Sequence, residues 1–118
     1  DSLSYNGHTT VADTLAAGVP ALTMRGTDVV ARVSESMLRL CGLQALVADD
    51  RAGFVALAAR FASDRDWRSD ILTTLQHGQS RLFDNEGRVR EMERAYEKMW
   101  ERHRAGLPPE DFDVSPLG

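Results

Sequence analysis

The sequence predicts an α/β fold in which helices pack on parallel strands, and two observations lead to this prediction. Short apolar runs at 19–24 and 43–48 have the length that is typical of buried strands. Each run is preceded and followed by a segment whose apolar residues recur at helical spacing. Alternating helices and strands favour parallel pairing, because parallel strands need a crossover connection between them.

Local signals place the boundaries of these elements. Gly18 and Gly42 are expected to end helices, and Asp49 or Asp50 can cap the helix that follows the second strand. In order, we expect a helix over 11–17, a strand over 19–24, a helix over 29–41, a strand over 43–48, a helix over 50–63, a helix over 66–79 and a long amphipathic helix over 86–104.

The two strands cannot make a complete domain, since a doubly wound sheet normally needs several more. We therefore interpret 1–64 as the C-terminal half of a Rossmann-like nucleotide-binding lobe, 65–107 as C-terminal helices and 108–118 as a flexible acidic tail. The preceding half of the lobe is expected on sequence before residue 1, on a cleaved partner piece or on another chain.

Composition narrows the class of protein. The 118 residues, 42% hydrophobic and 27% charged, fit a soluble globular domain or part of one. A net charge of −4 and a pI near 5.3 argue against a nucleic-acid partner. No apolar stretch approaches the roughly 20 residues of a membrane span, so we expect no membrane partner and a cytoplasmic location. The single Cys41 is expected to be a buried core thiol.

A polar loop before the first helix is the clearest candidate for a binding site. Gly7 lets the backbone approach a ligand, and Thr9 or Thr10 can cap the helix. The first N–H groups and the positive end of the helix dipole favour an anion there, and His8 adds a side-chain donor. Asp13 lies one turn further along, where a carboxylate can accept hydrogen bonds from sugar hydroxyls. The alternative is a simple loop and helix cap without a ligand.

Four sequence blocks share their order and spacing with a known family. They are Asn6-Gly7-His8-Thr9-Thr10-x-x-Asp13, Gly18-Val19-Pro20-x-Leu22-Thr23-Met24, Ala31-Arg32-Val33-x-x-Ser36, and Leu82-Phe83-Asp84 with Glu93-Arg94-x-Tyr96-x-x-Met99-Trp100. Together they resemble the C-terminal end of an O-linked N-acetylglucosamine transferase of the SPINDLY-like type. The resemblance runs from residue 1 to about residue 113.

This resemblance implies the C-terminal lobe of a two-lobed, type B glycosyltransferase with tetratricopeptide helices upstream. It implies a UDP-GlcNAc donor, protein Ser or Thr acceptors and no cofactor. It assigns His8, Thr9 and Thr10 to the donor diphosphate and Asp13 to the ribose. A further implied partner is the N-terminal lobe of the same protein, without which we expect the chain to be inactive.

The other titratable residues do not suggest a second site. The remaining carboxylates are spread over helix caps and surfaces, so no catalytic acid/base pair is predicted. His77 and His103 have no partner at ligand spacing, so no metal site is predicted.

The sequence departs from the family pattern at one place near the site. Arg25-Gly26-Thr27 stands where the family has Pro-Gly-Glu, so a carboxylate is lost and a positive charge is gained at the mouth of the site. Two alternatives therefore stay open: a non-catalytic interaction module that keeps the fold, and a two-lobed glycosyltransferase with another sugar donor.

The last helix carries more apolar surface than a two-stranded core can cover. We expect Met99 and Trp100 to be partly exposed, or buried against a neighbouring copy, when the chain stands alone. Because large apolar patches are rarely left in water, the chain is expected to form a homo-oligomer or to pair with its missing half.

Overall fold

The computed structural model describes residues 1–115. Two short 3-10 turns, Val29–Ala31 and Gln44–Leu46, interrupt the connections between the main elements. The main elements are α1 (His8–Ala16), β1 (Thr23–Met24), α2 (Val33–Leu40), β2 (Val47–Ala48), α3 (Arg51–Ser63), α4 (Arg65–Leu82) and α5 (Asn85–Arg104). They form two compact units, one ending at Phe83 and one beginning at Asp84.

The first unit contains a small parallel sheet, as the sequence predicts. Thr23 pairs with Val47 and Met24 pairs with Ala48. Both strands are shorter than expected, because only the last two residues of each apolar run pair. In the first run Pro20 has no N–H to donate to a sheet, and in the second run residues 44–46 form a 3-10 turn. The fold is therefore rich in helix with a minimal sheet.

The core of the first unit lies between the sheet and helices α1, α2 and α4. Five leucines have no exposed surface: Leu15, Leu38, Leu43, Leu46 and Leu75. Cys41, 1% exposed, lies in the same cluster, which confirms the buried core thiol. A Cβ atom on Gly78 of α4 would lie 2.1 Å from the Cys41 carbonyl oxygen. Only glycine therefore allows α4 to approach the end of α2 so closely.

Helix α4 belongs to the first unit because it packs on both α2 and α3. The division between the units therefore falls after Phe83, whereas the sequence predicts a boundary between 64 and 65. Asp64 makes the sharp junction between α3 and α4, since its carboxylate accepts a hydrogen bond from the backbone N–H of Trp67 at 3.0 Å. This backbone hydrogen bond, with a second hydrogen bond from the side chain of Arg60, lowers the pKa of Asp64.

The second unit consists of α5 and the segment that follows it. Asp84 caps α5 by accepting a hydrogen bond from the backbone N–H of Gly87 at 3.0 Å. No residue of α5 is buried. Its large apolar side chains are all more than half exposed: Val89, Met92, Tyr96, Met99 and Trp100. Partial exposure of Met99 and Trp100 is as predicted, and association of the chain stays a prediction.

Residues 105–115 follow α5 without helix or strand, and 116–118 of the predicted flexible tail lie outside the described residues. Within the described part of the chain, no helix has the length and apolar character needed to cross a membrane.

Candidate functional site

The first turn of α1 lies at the carboxyl edge of the small sheet. In a parallel α/β fold, a helix that precedes a strand runs antiparallel to that strand. The start of α1 and the end of β1 therefore lie at the same edge of the sheet. The hydrogen bond from the backbone N–H of Asn6 to the carbonyl of Val30, at 2.9 Å, joins the loop before α1 to the loop after β1. Ligands of open α/β sheets bind at this edge.

Asn6 is the residue that fixes the loop in place. Its side chain is almost fully buried, at 1% exposure. The carbonyl oxygen Oδ1 accepts a hydrogen bond from the backbone N–H of Ser34 at 3.0 Å, and Nδ2 donates to the carbonyl of Ser2 at 2.9 Å. The start of α2 therefore holds the start of α1. The sequence does not reveal this role of Asn6, because the partner of its side chain lies 28 residues away.

Asp1 ties the same loop to β1. One carboxylate oxygen accepts a hydrogen bond from the backbone N–H of Gly7 at 2.9 Å. The other accepts one from the hydroxyl of Thr23 at 2.7 Å, and Thr23 has no exposed surface. The sequence does not predict this contact either, since an acidic residue followed by serine carries no signal of its partner.

His8 is the first residue of α1, and its ring is held on two sides. It stacks on Tyr5 with the ring centroids 4.9 Å apart, and Nε2 lies 3.3 Å from the carbonyl oxygen of Val30. With the hydrogen on Nε2, the ring donates to Val30 and a neutral imidazole offers only the lone pair of Nδ1 to a ligand. A doubly protonated ring keeps the Val30 contact and gains a second donor for an anion.

Thr9 and Thr10 are the second and third residues of α1, and both are exposed. The prediction that one of them caps the helix is wrong, because Gly7 occupies the N-cap position and no side chain caps α1. The helix begins earlier than expected since glycine adopts the N-cap conformation without a side chain. The backbone N–H of His8 donates to the carbonyl of Asn6 at 2.9 Å, and the N–H groups of Thr9 and Thr10 have no side-chain cap.

Asp13 is also exposed on α1. It follows Thr9 by four residues, so the two side chains share a face of the helix. The structure thus brings together the four residues predicted for the site on one helix: His8, Thr9, Thr10 and Asp13.

The positive charge gained at Arg25 is paired on both sides. Its Nε lies 3.0 Å from the buried carboxylate of Glu35, and its Nη1 lies 2.9 Å from Asp49. Arg39 contacts the same Glu35 oxygen at 2.9 Å, and Arg32 lies 4.0 Å from the other. Burial acts to raise the pKa of Glu35, but the hydrogen bonds from Arg39 and Arg25 outweigh it and the pKa is lowered.

Within residues 1–115, no three His, Cys, Asp or Glu side chains are grouped closely enough to hold a metal ion. His77 is an exposed residue of α4. His103 stacks on Trp100 with ring centroids 5.6 Å apart.

Comparison with known proteins defines the class and then the family. The fold matches a solved Thermobaculum terrenum O-GlcNAc transferase mutant with a TM-score of 0.76 and 32% identity, over 85% of this chain and 20% of that one. The chain therefore has the fold of one segment of an O-GlcNAc transferase. A family model described as glycosyl transferase family 41 matches residues 1–92. The chain belongs to glycosyl transferase family 41.

Curated relatives carry consistent names. A probable UDP-N-acetylglucosamine–peptide N-acetylglucosaminyltransferase SPINDLY of Eustoma exaltatum subsp. russellianum is 36% identical over 92% of this chain and 12% of its own length. A UDP-N-acetylglucosamine–peptide N-acetylglucosaminyltransferase of Caenorhabditis elegans is 34% identical over 92% of this chain and 10% of its own length. The chain thus spans about a tenth of the length of these relatives.

Proposed function

We propose that this chain is the donor-binding segment of a glycosyltransferase that transfers N-acetylglucosamine from UDP-GlcNAc to protein Ser or Thr hydroxyls. The proposal takes the segment as the C-terminal half of a Rossmann-like lobe. The observation that carries it is the uncapped, exposed first turn of α1, which buried Asn6 holds at the carboxyl edge of the sheet. Family membership and the names of the relatives support the choice of donor.

The chemistry of the step requires hydrogen-bond donors near the leaving group. When the glycosidic bond to the diphosphate breaks, negative charge grows on the departing oxygen, and donors directed at that oxygen stabilise the transition state more than the bound donor. The backbone N–H groups of Thr9 and Thr10, their hydroxyls and the ring of His8 can supply such donors. They are already oriented by the helix, so little reorganisation is needed during the reaction.

Asp13 has a different role in this proposal. Its carboxylate can accept hydrogen bonds from the two ribose hydroxyls, which are neutral donors. Asp13 lies in the second turn of α1, one turn away from the N-terminal end where the diphosphate would sit. The ribose and the diphosphate would then contact successive turns of one helix.

The acceptor and the rest of the donor would be bound by the other lobe of the protein. We therefore expect the 118-residue chain to bind nucleotide weakly and to catalyse no transfer by itself.

Calorimetric titration of UDP and of uridine into the two-lobed protein tests these assignments. His8→Ala should weaken UDP binding about tenfold or more, since a charge-assisted hydrogen bond is lost, and should leave uridine binding unchanged. Asp13→Asn should weaken both ligands alike. His77→Ala, an exposed histidine on α4, is the matched control. Equal UDP affinity in the His8→Ala and His77→Ala variants would remove His8 from the site.

The alternatives rest on the Arg25-Gly26-Thr27 departure and on the missing half of the lobe. Because Glu35 and Asp49 pair with Arg25, the departure does not leave an unpaired positive charge at the edge. Assaying the two-lobed protein with UDP-GlcNAc and UDP-glucose separates the remaining readings. Turnover of the glucose donor alone would favour another sugar, and absence of transfer and donor hydrolysis with both would favour an interaction module.

A further inference from the structure

The segment after α5 folds back along the helix. Gly106 has a φ of 69°, so the helix ends in a left-handed turn, and the backbone N–H of Leu107 donates to the carbonyl of Arg102 at 3.1 Å. The chain then reverses. Nη2 of Arg102 donates to the carbonyl of Pro108 at 2.8 Å, and Nη1 of the same side chain contacts the carboxylate of Glu110.

Three cationic side chains of α5 contact this segment in turn. Arg94, Lys98 and Arg102 recur every four residues and therefore share one face of the helix, which we call the basic stripe. Lys98 Nζ lies 4.3 Å from the centroid of the Phe112 ring, at the distance of a cation–π contact. Arg94 donates to the carbonyl of Ser115. The segment 108–115 thus runs antiparallel to α5 along the whole stripe.

An ion pair and partial burial hold this contact. Of the three carboxylates in Glu110-Asp111-Phe112-Asp113, that of Glu110 pairs with Arg102, and those of Asp111 and Asp113 are exposed. The Arg102 side chain is only 19% exposed, and the Nε atoms of Arg94 and Arg102 are buried although neither has a hydrogen-bond partner. The segment therefore covers the two arginines of the stripe in part, whereas Lys98 between them stays exposed.

A groove remains between α5 and the segment. It has a volume of about 210 Å³ and is lined on its apolar side by Met99, Leu107 and Phe112. Phe112 is half-buried, although it lies in a segment without regular secondary structure. An extended chain that is held by side chains of the helix and by one aromatic anchor has the contacts of a bound peptide.

We propose that the basic stripe of Arg94, Lys98 and Arg102 is a binding groove for an extended acidic peptide with one aromatic anchor, and that residues 108–115 occupy it as an internal ligand. The proposal is independent of donor binding, because every residue that carries it lies in the second unit. A peptide of the same chemistry would have to displace the internal segment before it could bind. The apparent affinity of such a peptide is therefore reduced by the fraction of molecules in which the groove is occupied.

The probe for this competition is a fluorescein-labelled peptide with the sequence of residues 107–115, titrated into the full 118-residue chain and followed by anisotropy. Phe112→Ala in the chain removes the internal anchor and should tighten peptide binding about threefold or more, since a tethered segment competes at an effective concentration of about millimolar. Adding Arg102→Gln to Phe112→Ala should weaken binding about tenfold. Adding Arg104→Gln instead removes the same charge two residues further on, away from the stripe, and should not weaken binding.

Nuclear magnetic resonance relaxation gives a second readout that needs no peptide. In the unmodified chain the backbone amides of 110–115 should be as ordered as those of α5, and Lys98→Met with Phe112→Ala should make them mobile. Peptide affinity that is the same for the unmodified and Phe112→Ala chains, or the same with Arg102→Gln and Arg104→Gln, would overturn the proposal. Amides of 110–115 that are already mobile in the unmodified chain would overturn it too.

Discussion

The two units of the chain are stabilised in different ways. In the first unit, fully buried leucines form a core, and the buried polar groups of Asn6 and Glu35 find partners on neighbouring elements. In the second unit, no residue of α5 is buried, and the described contacts are a cap, ion pairs and a cation–π contact. The first unit can therefore position a site with its own atoms. The large apolar side chains of α5 stay more than half exposed, and their burial by a partner stays a prediction.

The largest expected effect is a core deletion in the first unit. Leu38→Ala removes a side chain with no exposed surface and should lower the free energy of unfolding by about 2–5 kcal/mol. Urea unfolding followed by Trp67 fluorescence in a Trp100→Phe background measures this unit alone. Leu72→Ala, at 42% exposure, deletes the same atoms and should cost less than about 1 kcal/mol. Similar costs for both variants would mean that the core is not where the structure places it.

Asn6→Ala should have the next largest effect. It leaves the backbone N–H of Ser34 and the carbonyl of Ser2 without their side-chain partner, which should cost about 1–3 kcal/mol. Asn85→Ala, an exposed asparagine at the start of α5, is the matched control and should change the free energy of unfolding by less than about 0.5 kcal/mol. An Asn6→Ala protein as stable as the control would contradict the role of this amide.

Glu35→Gln tests the buried carboxylate through its pH dependence. The folded pKa is below the ordinary value of 4.5, so the carboxylate stabilises the fold above that pH and this contribution is lost as the pH falls through the lowered folded value. We expect the variant to be less stable by about 1–2 kcal/mol at pH 7, because its arginine partners are half-exposed.

The difference between the urea midpoints of the unmodified chain and the Glu35→Gln variant should then shrink as the pH is lowered from 7 to 3. Glu86→Gln, which removes an exposed carboxylate paired with Arg90 in the second unit, should cost less than about 0.5 kcal/mol at pH 7. A Glu35→Gln difference that stays constant or grows in acid would be the wrong sign.

Asp84→Ala should affect the second unit alone. It removes the cap on the backbone N–H of Gly87 and should cost the helix about 1 kcal/mol, whereas Asp84→Asn should retain most of the stability. Hydrogen exchange of the first-turn amides of α5 measures this effect. Any equal change in the urea midpoint reported by Trp67 would show that the two units unfold together.

Met92→Ala should have the smallest effect on folding. The side chain is 54% exposed, so its loss should change the free energy of unfolding by less than about 0.5 kcal/mol. If the apolar face of α5 mediates association, the same substitution should weaken it. Light scattering across micromolar to millimolar concentration measures this, and an unmodified chain that stays monomeric throughout would end the association prediction.

Local signals in the sequence predict where α1 and α2 end and where α3 begins, although not where α1 begins. Gly18 and Gly42 have φ angles of 76° and 78° and follow the helix ends, and Asp50 caps α3 as expected. These signals act within one helical turn and can be read without the fold. The strands were predicted too long because an apolar run indicates burial as much as pairing, and Leu43 and Leu46 are buried without being in a strand.

The site is predictable from the sequence only in part, because local signals do not reveal contacts between distant residues. The helical spacing of Thr9 and Asp13 follows from the sequence, and so does their common face. The contacts that hold the site do not, because Asn6 reaches Ser34, 28 residues away, and Asp1 reaches Thr23, 22 residues away. The pairing of Arg25 with Glu35 and Asp49 also depends on the return of the chain to the same edge of the sheet.

The close approach of α4 to α2 at Gly78 makes the core of the first unit open to kinetic measurement. Cys41 is the single cysteine of the sequence and is buried at this contact. A thiol reagent therefore reaches it only when the helices separate. Burial raises the pKa of Cys41 in the closed core, with Arg81 acting in the opposite direction, so little reactive thiolate is present before the helices separate. The rate of labelling therefore reports how often the native core opens, without any introduced probe.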